Sequence, residues 1–356
     1  MDFPLFKTKL ENNNRTFRLS DPSERWEYFH LRAGSEIERL KSYLEKNSFV
    51  AYLLGKKNSG KGTYSKLFIE IFGSDRVAQV SVGDLVRAAH KIVSEGGTAQ
   101  DELLGFLKQN YRGYLSLEQS LDALIGRDVT RLLPTEFILT LVKREIARFP
   151  KKSLFIDGFP RDLDQISYSL YLRELIGYRD DPDVLVFIDV PEKIIEERMK
   201  YRVVCPKCQL VPNLKLNPTK KIGYDQEKRA FYLICDNPAC QGQRLDSGKE
   251  GDRSGIEAIR ERLDNEGRLM EQALQLYGIP KILLRNHLPQ EKALEFADAY
   301  EITPEYSYEW DDVKKEVRVL EKPWVFPDDE GVPSVSLLAP AAVVSLLKQL
   351  TQTLNP

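Results

Sequence analysis

Residues 55–63 read Gly-Lys-Lys-Asn-Ser-Gly-Lys-Gly-Thr, and this glycine-rich segment constrains the fold more than any other stretch of the chain. An apolar run at 49–54 precedes it, as in a buried strand. After it, apolar residues recur with helical spacing at Tyr64, Leu67, Phe68, Ile71 and Phe72. A glycine-rich turn between a strand and a helix aims backbone N–H groups and the positive helix end at anionic oxygens. The segment therefore predicts an α/β fold and a nucleoside polyphosphate ligand.

The residues of this loop have separate predicted roles. Lys61 is expected to reach the β- and γ-phosphates of the nucleotide, and Thr63 lies one residue after the usual magnesium-binding hydroxyl. The predicted nucleotide-binding residues of the loop are Gly55, Asn58, Ser59, Gly60, Lys61, Gly62 and Thr63. The alternative is a glycine-rich turn with a purely structural role, which the order of strand, loop and helix disfavours.

Charge and hydropathy exclude several classes of function. The 356 residues include 52 Lys and Arg against 54 Asp and Glu, so no global field favours nucleic acid or an anionic membrane. The sequence has no long apolar run that could span a membrane, and its start lacks the charged and apolar segments of a secretory signal. We therefore expect a globular cytoplasmic protein with neither a membrane nor a nucleic acid as partner.

All four cysteines fall in one segment, with the spacing C-x2-C-x26-C-x4-C. They are Cys205, Cys208, Cys235 and Cys240. In a cytosolic chain such clustering favours a metal site over disulfides. Four thiolates complete a tetrahedral structural zinc site and leave no open position for a reactive water. Two disulfides and four unconnected thiols are the alternatives.

Strand-like apolar runs alternate with helical patterns from residue 49 onward. The strand-like runs lie at 49–54, 77–81, 153–157, 184–190 and 281–285. Helical periodicity marks 134–149, 256–277 and 339–350. This alternation predicts an α/β fold in which a doubly wound, five-stranded parallel sheet carries helices on both faces.

The same patterns divide the chain. The predicted organisation is an N-terminal extension at 1–48, a core at 49–299 and a C-terminal extension at 300–356. Two stretches interrupt the core: 83–150, which is mostly helical, and 203–252, which carries the cysteines. Both are candidates for mobile lobes. In the N-terminal extension, Asp21-Pro22-Ser23-Glu24 predicts the start of a helix.

Four further motifs follow the loop in order. The segment 80–89 reads Val-Ser-Val-Gly-Asp-Leu-Val-Arg-Ala-Ala, and 157–161 reads Asp-Gly-Phe-Pro-Arg with Gln165 four residues on. The run Ile-Asp-Val-Pro at 188–191 precedes Arg198 and Arg202, and Arg262-Leu263 follows the cysteine-bearing stretch. Together these motifs resemble those of the adenylate kinases, the nucleoside monophosphate kinase family, from residue 49 to residue 290.

The resemblance implies a role for each matching residue. Lys61 would bind donor phosphates, Arg198 would stack on the donor base, and Arg202 with Arg262 would clamp the transferring group. On the acceptor side, the residues implied to hold the monophosphate are Arg87, Gly158, Arg161 and Gln165. Asp84 and Asp157 would hold the waters of a magnesium ion. The resemblance also makes 203–252 the lid, because cysteine-bearing lids with structural zinc occur in this family.

The chemistry of phosphoryl transfer agrees with this set of basic and acidic residues. An acceptor phosphate is an ionised nucleophile, so the site has to supply guanidinium groups, one magnesium ion and lobes that exclude water. Taken singly, each of these arginines would be interpreted as a surface residue and Asp157 as the cap of a turn. The assignment therefore depends on their joint spacing.

Several positions depart from the family pattern. Lys57 and Asn58 replace the usual Pro-Gly of the loop; asparagine tolerates positive φ, so the turn is expected to survive. Val82 stands where the family commonly has a threonine that bonds the acceptor nucleotide, whereas Gln165 matches the position that reads adenine. AMP is therefore the favoured acceptor.

The two lobes also depart from the pattern. Residues 101–120 are additional in the acceptor-side lobe. The last lid motif of the family, an arginine followed by paired aspartates, is absent. Arg244 or Arg253 is expected to supply the missing guanidinium, and the sequence leaves both open.

Three hypotheses of function follow. The first is a monomeric adenylate kinase that transfers phosphate from Mg-ATP to AMP. The second is a UMP/CMP or broad-specificity kinase, motivated by Val82. The third is a degenerate nucleotide-binding module whose lid and tail bind a protein or nucleic acid, motivated by the altered lid and the basic run at 215–221. The retained Lys61, Arg87 and Asp157 argue against the third.

Overall fold

The computed structural model describes residues 3–11, 13–126, 133–160, 175, 178–208, 210–245, 248 and 255–355. The helices in this part of the chain are α1 (Pro22–Leu44), α2 (Lys61–Phe72), α3 (Val82–Glu95), α4 (Thr98–Asn110), α5 (Leu117–Ile125), α6 (Thr135–Ile146), α7 (Glu192–Lys200), α8 (Arg260–Leu274), α9 (Ala293–Phe296) and α10 (Ala339–Leu354). The strands are β1 (Val50–Gly55), β2 (Val77–Ser81), β3 (Ser153–Asp157), β4 (Asp183–Asp189), β5 (Lys221–Asp225), β6 (Ala230–Ile234), β7 (Arg244–Leu245), β8 (Lys281–Arg285), β9 (His287–Pro289), β10 (Pro304–Asp311), β11 (Glu316–Pro323), β12 (Val325–Pro327) and β13 (Pro333–Ser336).

Five strands form one parallel sheet in the order β2-β3-β1-β4-β8. β1 and β4 are buried along almost their whole length. Strands that are covered on both faces have continuous apolar sequences, which is why these segments stood out as apolar runs. The predicted five-stranded parallel sheet is confirmed, and β1 lies at its centre.

Alternate side chains of β1 enter two separate apolar layers. Ala51 and Leu53 belong to a cluster with α1, α2 and α10. Tyr52 and Leu54 belong to a second cluster with α6 and α8. Successive residues of a strand point to opposite faces, so one continuous apolar run supplies both layers. Helices therefore cover both faces of the sheet, as the sequence predicted.

The segment between β2 and β3 forms the helices α3 to α6. They share an apolar cluster of their own, in which the most buried members are Leu103, Leu107, Leu124 and Phe137. A capping box between Ser116 and Gln119 begins α5. The additional residues 101–120 cover most of α4, the connection at 111–116 and the start of α5, so they extend this helical segment.

The cysteine-bearing segment forms a small antiparallel sheet of β5, β6 and β7. Its buried cluster consists of Cys205, Leu233, Cys235, Cys240 and Leu245. So small an apolar cluster supplies little hydrophobic stabilisation, and a unit of this kind usually depends on a metal or disulfides.

The two terminal extensions pack against each other beside the sheet. Asp21 accepts hydrogen bonds from the backbone N–H groups of Ser23 and Glu24, which confirms the predicted start of α1. α1 then packs on α10, and both helices contribute to the apolar layer that faces α2. Both extensions therefore contribute side chains to the hydrophobic core of the protein.

A buried polar group joins these extensions. Arg32 of α1 is 3% exposed and forms an ion pair with Asp298, and Glu301 is completely buried next to it. Tyr28 donates a hydrogen bond to Glu301, and so does the hydroxyl of Thr8, at 2.9 Å. Because a buried charge requires partners, this network ties the first helix to the chain after β8.

The C-terminal extension adds two further sheets. β13 pairs antiparallel with β9, which follows β8 almost directly, and with β12 on its other side. β10 and β11 form a separate hairpin. The first of these sheets therefore lies at the carboxyl end of β8, the edge at which ligands of parallel sheets bind.

Some predicted helix ends were wrong. α8 covers Arg260–Leu274 rather than 256–277, and a short 3-10 turn at Glu257–Ile259 precedes it. Apolar periodicity does not distinguish an α-helix from a 3-10 turn at its end.

Among the described helices, none has both the length and the apolar character that a membrane crossing requires.

Candidate active site and metal centre

The loop at 55–63 connects the carboxyl end of β1 to α2. Gly55 is closely packed, because a Cβ atom there would lie 2.7 Å from Ser59 Oγ and 3.1 Å from a carbonyl oxygen of β4. The φ angle is 65° at Asn58 and 105° at Gly60. Asparagine tolerates this left-handed conformation, so the turn forms without the usual glycine, as expected from the sequence.

All the predicted loop residues line one cleft. They are Gly55, Asn58, Ser59, Gly60, Lys61, Gly62 and Thr63. The ammonium group of Lys61 donates hydrogen bonds to the carbonyl oxygens of Gly55 and Lys56, at 2.7 and 3.1 Å. Ser59 is 1% exposed, and its Oγ has no hydrogen-bond partner among the described residues. A buried hydroxyl is costly without a partner, so its presence here fits an anionic oxygen as ligand.

Two predicted arginines reach the loop from the side of α7. Arg198 Nη1 donates a hydrogen bond to the carbonyl oxygen of Asn58, and Arg202 Nη1 donates one to Oδ1 of the same residue, both at 2.8 Å. Burial lowers the pKa of Arg198, but guanidinium groups stay charged at neutral pH. The structure therefore brings two fixed positive charges to the turn of the loop.

Arg262 approaches the loop from α8. Its Nε donates a hydrogen bond to Glu266 Oε1 at 2.8 Å, and Glu266 Oε2 accepts the backbone N–H of Lys57 at 2.6 Å. The side chain of Arg262 is 58% exposed and lines the same cleft as Arg198 and Arg202. Glu266 thus connects this third guanidinium to the loop.

Asp157 lies at the carboxyl end of β3. Its register partners are Leu53 of β1 and Ser81 of β2, so its carboxylate lies one strand away from the loop. Gly158 follows with φ of 85°, and both residues line the cleft. The predicted Arg161 and Gln165 lie outside the described residues.

Asp84 and Arg87 lie on the first two turns of α3. Ser81 caps this helix by accepting the backbone N–H of Asp84 at 3.4 Å. The carboxylate of Asp84 and the guanidinium of Arg87 form an exposed ion pair. Arg87 lines the same cleft as Arg198, Arg202 and Arg262.

Val82 has a structural position that the sequence did not indicate. It is completely buried in the apolar layer of α6 and α8, together with Val80 and Phe159. The side chain at this position therefore faces the core. Valine in place of threonine at this position therefore changes the packing of the core.

The structure describes only one of the two arginines, Arg244 and Arg253, that were expected to supply the missing guanidinium. Arg244 lies on β7, where it forms an ion pair with Asp225 at 2.9 Å and stacks over the ring of Tyr232 at 3.9 Å. These contacts are all within the lid sheet. Arg253 lies outside the described residues.

The four cysteine sulfurs lie close together in the cysteine-bearing segment. All four Sγ atoms lie within 4.8 Å of one another, and the Cys205–Cys240 and Cys208–Cys235 distances are 3.8 and 3.5 Å. A disulfide requires a sulfur–sulfur distance of about 2.05 Å. Four thiolates about 2.3 Å from one zinc ion lie about 3.8 Å apart, so the donor set fits a tetrahedral metal site.

The thiol of Cys208 has a lowered pKa, which favours its metal-binding thiolate form. A hydrogen bond from the backbone N–H of Leu210 lowers the pKa of the Cys208 thiol to about 6. The backbone N–H of Cys205 donates in turn to the carbonyl oxygen of Leu210 at 2.8 Å, which closes a tight turn around the first cysteine pair. Thiolates are the metal-binding form of cysteine, so this turn favours a metal.

A cluster of charged residues beside the loop was missed by the sequence analysis. Lys56 Nζ lies 3.1 Å from Glu192 Oε1 and 3.5 Å from Asp329 Oδ2. Glu192 also forms an ion pair with Arg260. The only local signal was the acidic residue in the first turn of α7. Nothing near Asp329 in the sequence indicated that it would reach the loop.

A second buried group lies at the end of β8. Arg285 Nη2 donates a hydrogen bond to His287 Nε2 at 2.9 Å, so His287 is neutral and carries its proton on Nδ1. Burial and the nearby Arg285 lower the pKa of His287 to about 4. Burial raises the pKa of Asp189 to about 6, partly offset by Arg285. The two groups thus have opposite effects on pH dependence.

The fold and the cleft define a P-loop α/β protein in which basic side chains gather around a phosphate-type loop. The chain is 30% identical to the adenylate kinase of Clostridium acetobutylicum over 232 residues, which is 65% of this chain and 87% of the relative. It is 31% identical to the adenylate kinase of Ruminiclostridium cellulolyticum over 199 residues, or 56% of this chain and 76% of the relative. This chain belongs to the adenylate kinase family.

A related kinase is also similar. The probable UMP-CMP kinase 2 of Arabidopsis thaliana is 26% identical over 202 residues, which is 56% of this chain and 66% of that protein. No family model matches the chain. The resemblance inferred from the motifs is confirmed by these relatives.

Proposed function

We propose that this chain is an adenylate kinase, which transfers a phosphoryl group reversibly from Mg-ATP to AMP and yields two ADP. The observation that carries the proposal is that Arg198 and Arg202 bond Asn58 of the loop that holds Lys61, while Arg262 lines the same cleft and is linked to the loop through Glu266. Phosphoryl transfer passes through a loose transition state, so it depends on positioning and charge neutralisation. Four cationic groups in one cleft would supply both.

The donor nucleotide is proposed to bind along the loop. Its phosphates would accept hydrogen bonds from the loop N–H groups and the N-terminal end of α2, with Lys61 at the β- and γ-phosphates. Arg198 would stack on the donor base, and Arg202 and Arg262 would hold the transferring group. Guanidinium groups suit this role because their planar forks bind two phosphate oxygens at once.

The acceptor is proposed to bind between α3 and the end of β3. Arg87 and Arg161 would hold the phosphate of AMP, and Gly158 and Gln165 would complete the site. An oxygen of that phosphate forms a bond to the γ-phosphorus while the bond from this phosphorus to the β–γ bridging oxygen breaks. The leaving ADP and the product ADP both keep ionised phosphates, so no strong base is needed.

The proposed carboxylates for magnesium are Asp157, which lines the cleft, and Asp84, which forms an ion pair with Arg87 on α3. Asp84 and Asp157 would hold its coordinated waters, since carboxylates and phosphates are the ligands that magnesium prefers. When bound, the ion would neutralise charge on the β- and γ-oxygens of ATP. The role of Asp157 is favoured by its position beside β1 at the carboxyl edge of the sheet.

The cysteine cluster is proposed to bind one structural zinc ion through Cys205, Cys208, Cys235 and Cys240. A closed set of four thiolates offers no position for substrate, so its role is to hold the lid together. Segments 203–252 and 83–150 would be the lobes that close over the cleft and exclude water. A reduced cluster of this kind also suits a cytoplasmic location. The monomeric state remains a prediction.

A second candidate is a UMP/CMP or broad-specificity kinase. The similarity to the Arabidopsis relative and the valine at position 82 favour it. The buried position of Val82 weakens the second argument, because the side chain faces the core. The degenerate binding module remains the non-enzymatic alternative.

One experiment separates these functions. ADP formation is measured from Mg-ATP with AMP, GMP, CMP and UMP in turn. We expect turnover with AMP, and Lys61→Ala and Arg161→Ala should reduce it by a factor of about 1,000 or more. Lys314→Ala is the control, since this lysine is exposed at the tip of the β10–β11 hairpin.

Turnover with CMP or UMP in preference to AMP would favour the second candidate. If the wild type forms no ADP with any monophosphate, the enzymatic proposal fails and the binding module is favoured.

A further inference from the structure

A tight turn between β12 and β13 presents an aspartate from the C-terminal extension to the phosphate loop. Asp328 organises this turn: its Oδ1 accepts the backbone N–H groups of Glu330 and Val332, and its Oδ2 accepts the hydroxyl of Ser334. Gly331 provides the left-handed residue, with φ of 82°. The turn is thus fixed by its own hydrogen bonds, and Asp329 projects from it.

The carboxylate of Asp329 has two partners from two other elements. Oδ1 accepts the backbone N–H of Glu192, the first residue of α7, at 2.8 Å. Oδ2 lies 3.5 Å from Lys56 Nζ in the phosphate loop. A carboxylate is stabilising at a helix N-terminus, where the backbone N–H groups lack partners. One side chain therefore joins the start of α7 to the start of the loop.

Both partners lead directly to the phosphate-binding groups. The carbonyl oxygen of Lys56 accepts a hydrogen bond from the ammonium of Lys61 at 3.1 Å. α7 carries Arg198, whose guanidinium holds the carbonyl oxygen of Asn58 at 2.8 Å. A shift of α7 relative to Lys56 would therefore move the arginine and the lysine out of register with each other.

We propose that Asp329 is a positioning residue for the donor phosphate site, which fixes α7 against the phosphate loop. This inference rests on the proposed function for its catalytic consequence. It predicts a selective effect on the donor: small displacements of phosphate-binding groups weaken ATP binding, whereas the AMP side, built from α3 and β3, is untouched.

The test compares variants at Asp329 and its neighbour with the wild type. Asp329→Ala removes both contacts; Asp329→Asn keeps an oxygen for the N–H of Glu192 but loses the charge opposite Lys56. Glu330→Gln is the matched control, because it removes a neighbouring exposed charge from the same turn. We expect Asp329→Ala to raise KM for Mg-ATP about tenfold and to change KM for AMP by less than about twofold.

Asp329→Asn should give an intermediate KM for Mg-ATP, and Glu330→Gln should match the wild type. Lys56→Met removes the ion pairs with both Glu192 and Asp329, so the double variant of Lys56→Met and Asp329→Ala should raise KM for Mg-ATP by less than the two single effects combined, because the two changes share the Lys56–Asp329 contact. Equal changes in the two KM values together with a lower Tm would mean a purely structural role and would overturn the proposal. So would an Asp329→Ala enzyme that behaves like Glu330→Gln.

Calorimetric titration with ATP alone keeps this inference separate from the proposed function. If the wild type turns over no monophosphate, the proposed function fails, but ATP binding still reports on the loop. Weaker ATP binding in Asp329→Ala than in Glu330→Gln would then support the positioning role, and equal binding would overturn it.

Discussion

The phenolic hydroxyl of Tyr308 donates a hydrogen bond to the backbone carbonyl oxygen of Leu214 at 2.5 Å, and so joins the hairpin of β10 and β11 to the cysteine-bearing segment, the proposed lid. The backbone N–H of Tyr306 also donates to the carbonyl oxygen of Lys215 at 2.7 Å. Trp310 stacks on Tyr224 of β5, with ring centroids 5.0 Å apart. The proposed lid is therefore held by the C-terminal extension as well as by its own chain ends.

Tyr308→Phe should loosen this attachment. Loss of one partly buried hydrogen bond is expected to lower the free energy of unfolding by about 1 kcal/mol and to increase hydrogen exchange in residues 203–252. Denaturant unfolding and hydrogen-exchange mass spectrometry measure the two effects. Tyr277→Phe is the control, since Tyr277 is fully exposed. Equal exchange in the two variants would contradict the attachment.

Removal of the metal should affect the lid before the core. We expect about one zinc ion per chain by metal analysis, and Cys235→Ser should lose it because three thiolates bind much more weakly than four. The lid of the stripped protein should exchange faster and recover when zinc is added back. Purified protein with four free thiols and no metal would show that this expectation is wrong.

Asp189 and His287 should have opposing effects on stability. His287 has a folded pKa of about 4, below its usual value of about 6.5, so its contribution is complete above pH 6.5 and is lost as the pH falls toward 4. Asp189 has a folded pKa of about 6, above its usual value, so it destabilises the fold as the pH rises from 4 to 6.

Asp189→Asn removes the titration of Asp189, whose Oδ2 lies 3.8 Å from Nδ1 of His287. Relative to the wild type, this variant should gain stability as the pH rises from 4 through 6, and denaturant unfolding at pH 4.5, 5.5, 6.5 and 7.5 measures the gain. Asp312→Asn, an exposed change at the hairpin tip, controls for loss of a surface carboxylate. A difference between Asp189→Asn and wild type that is constant with pH would refute this pKa assignment.

Val82→Thr tests whether position 82 reads the acceptor. Because the side chain is completely buried, a threonine hydroxyl without a partner should destabilise the protein by about 1 to 3 kcal/mol. We expect no improvement in KM for AMP. A lower KM for AMP with unchanged stability would instead mean that position 82 contacts the nucleotide.

The phosphate loop and the sheet could be predicted because both depend on local sequence. Buried parallel strands such as β1 and β4 are continuous apolar runs, and the loop motif has a fixed spacing between strand and helix. Asn58 could be assigned a left-handed conformation from its residue type alone. Cys205 and its three partners could be grouped because few other structures require such spacing.

The contacts of the extensions could not be predicted in the same way. Asp329 and Lys56 are 273 residues apart, and neither belongs to a periodic pattern that indicates a partner. The motif suggested that Val82 faces the ligand. In the fold, the orientation of α3 instead directs this side chain into the core. The relative position of distant segments depends on tertiary packing, which local patterns do not specify.

The buried pair of Arg32 and Asp298 has a consequence for the order of events during biosynthesis. The two residues are 266 positions apart, so α1 emerges from the ribosome long before its charged partners exist. Until then, docking of α1 would bury an uncompensated guanidinium, which is strongly unfavourable. The nascent N-terminal helix should therefore remain undocked while the sheet forms, and a chaperone or protease would meet it in that interval.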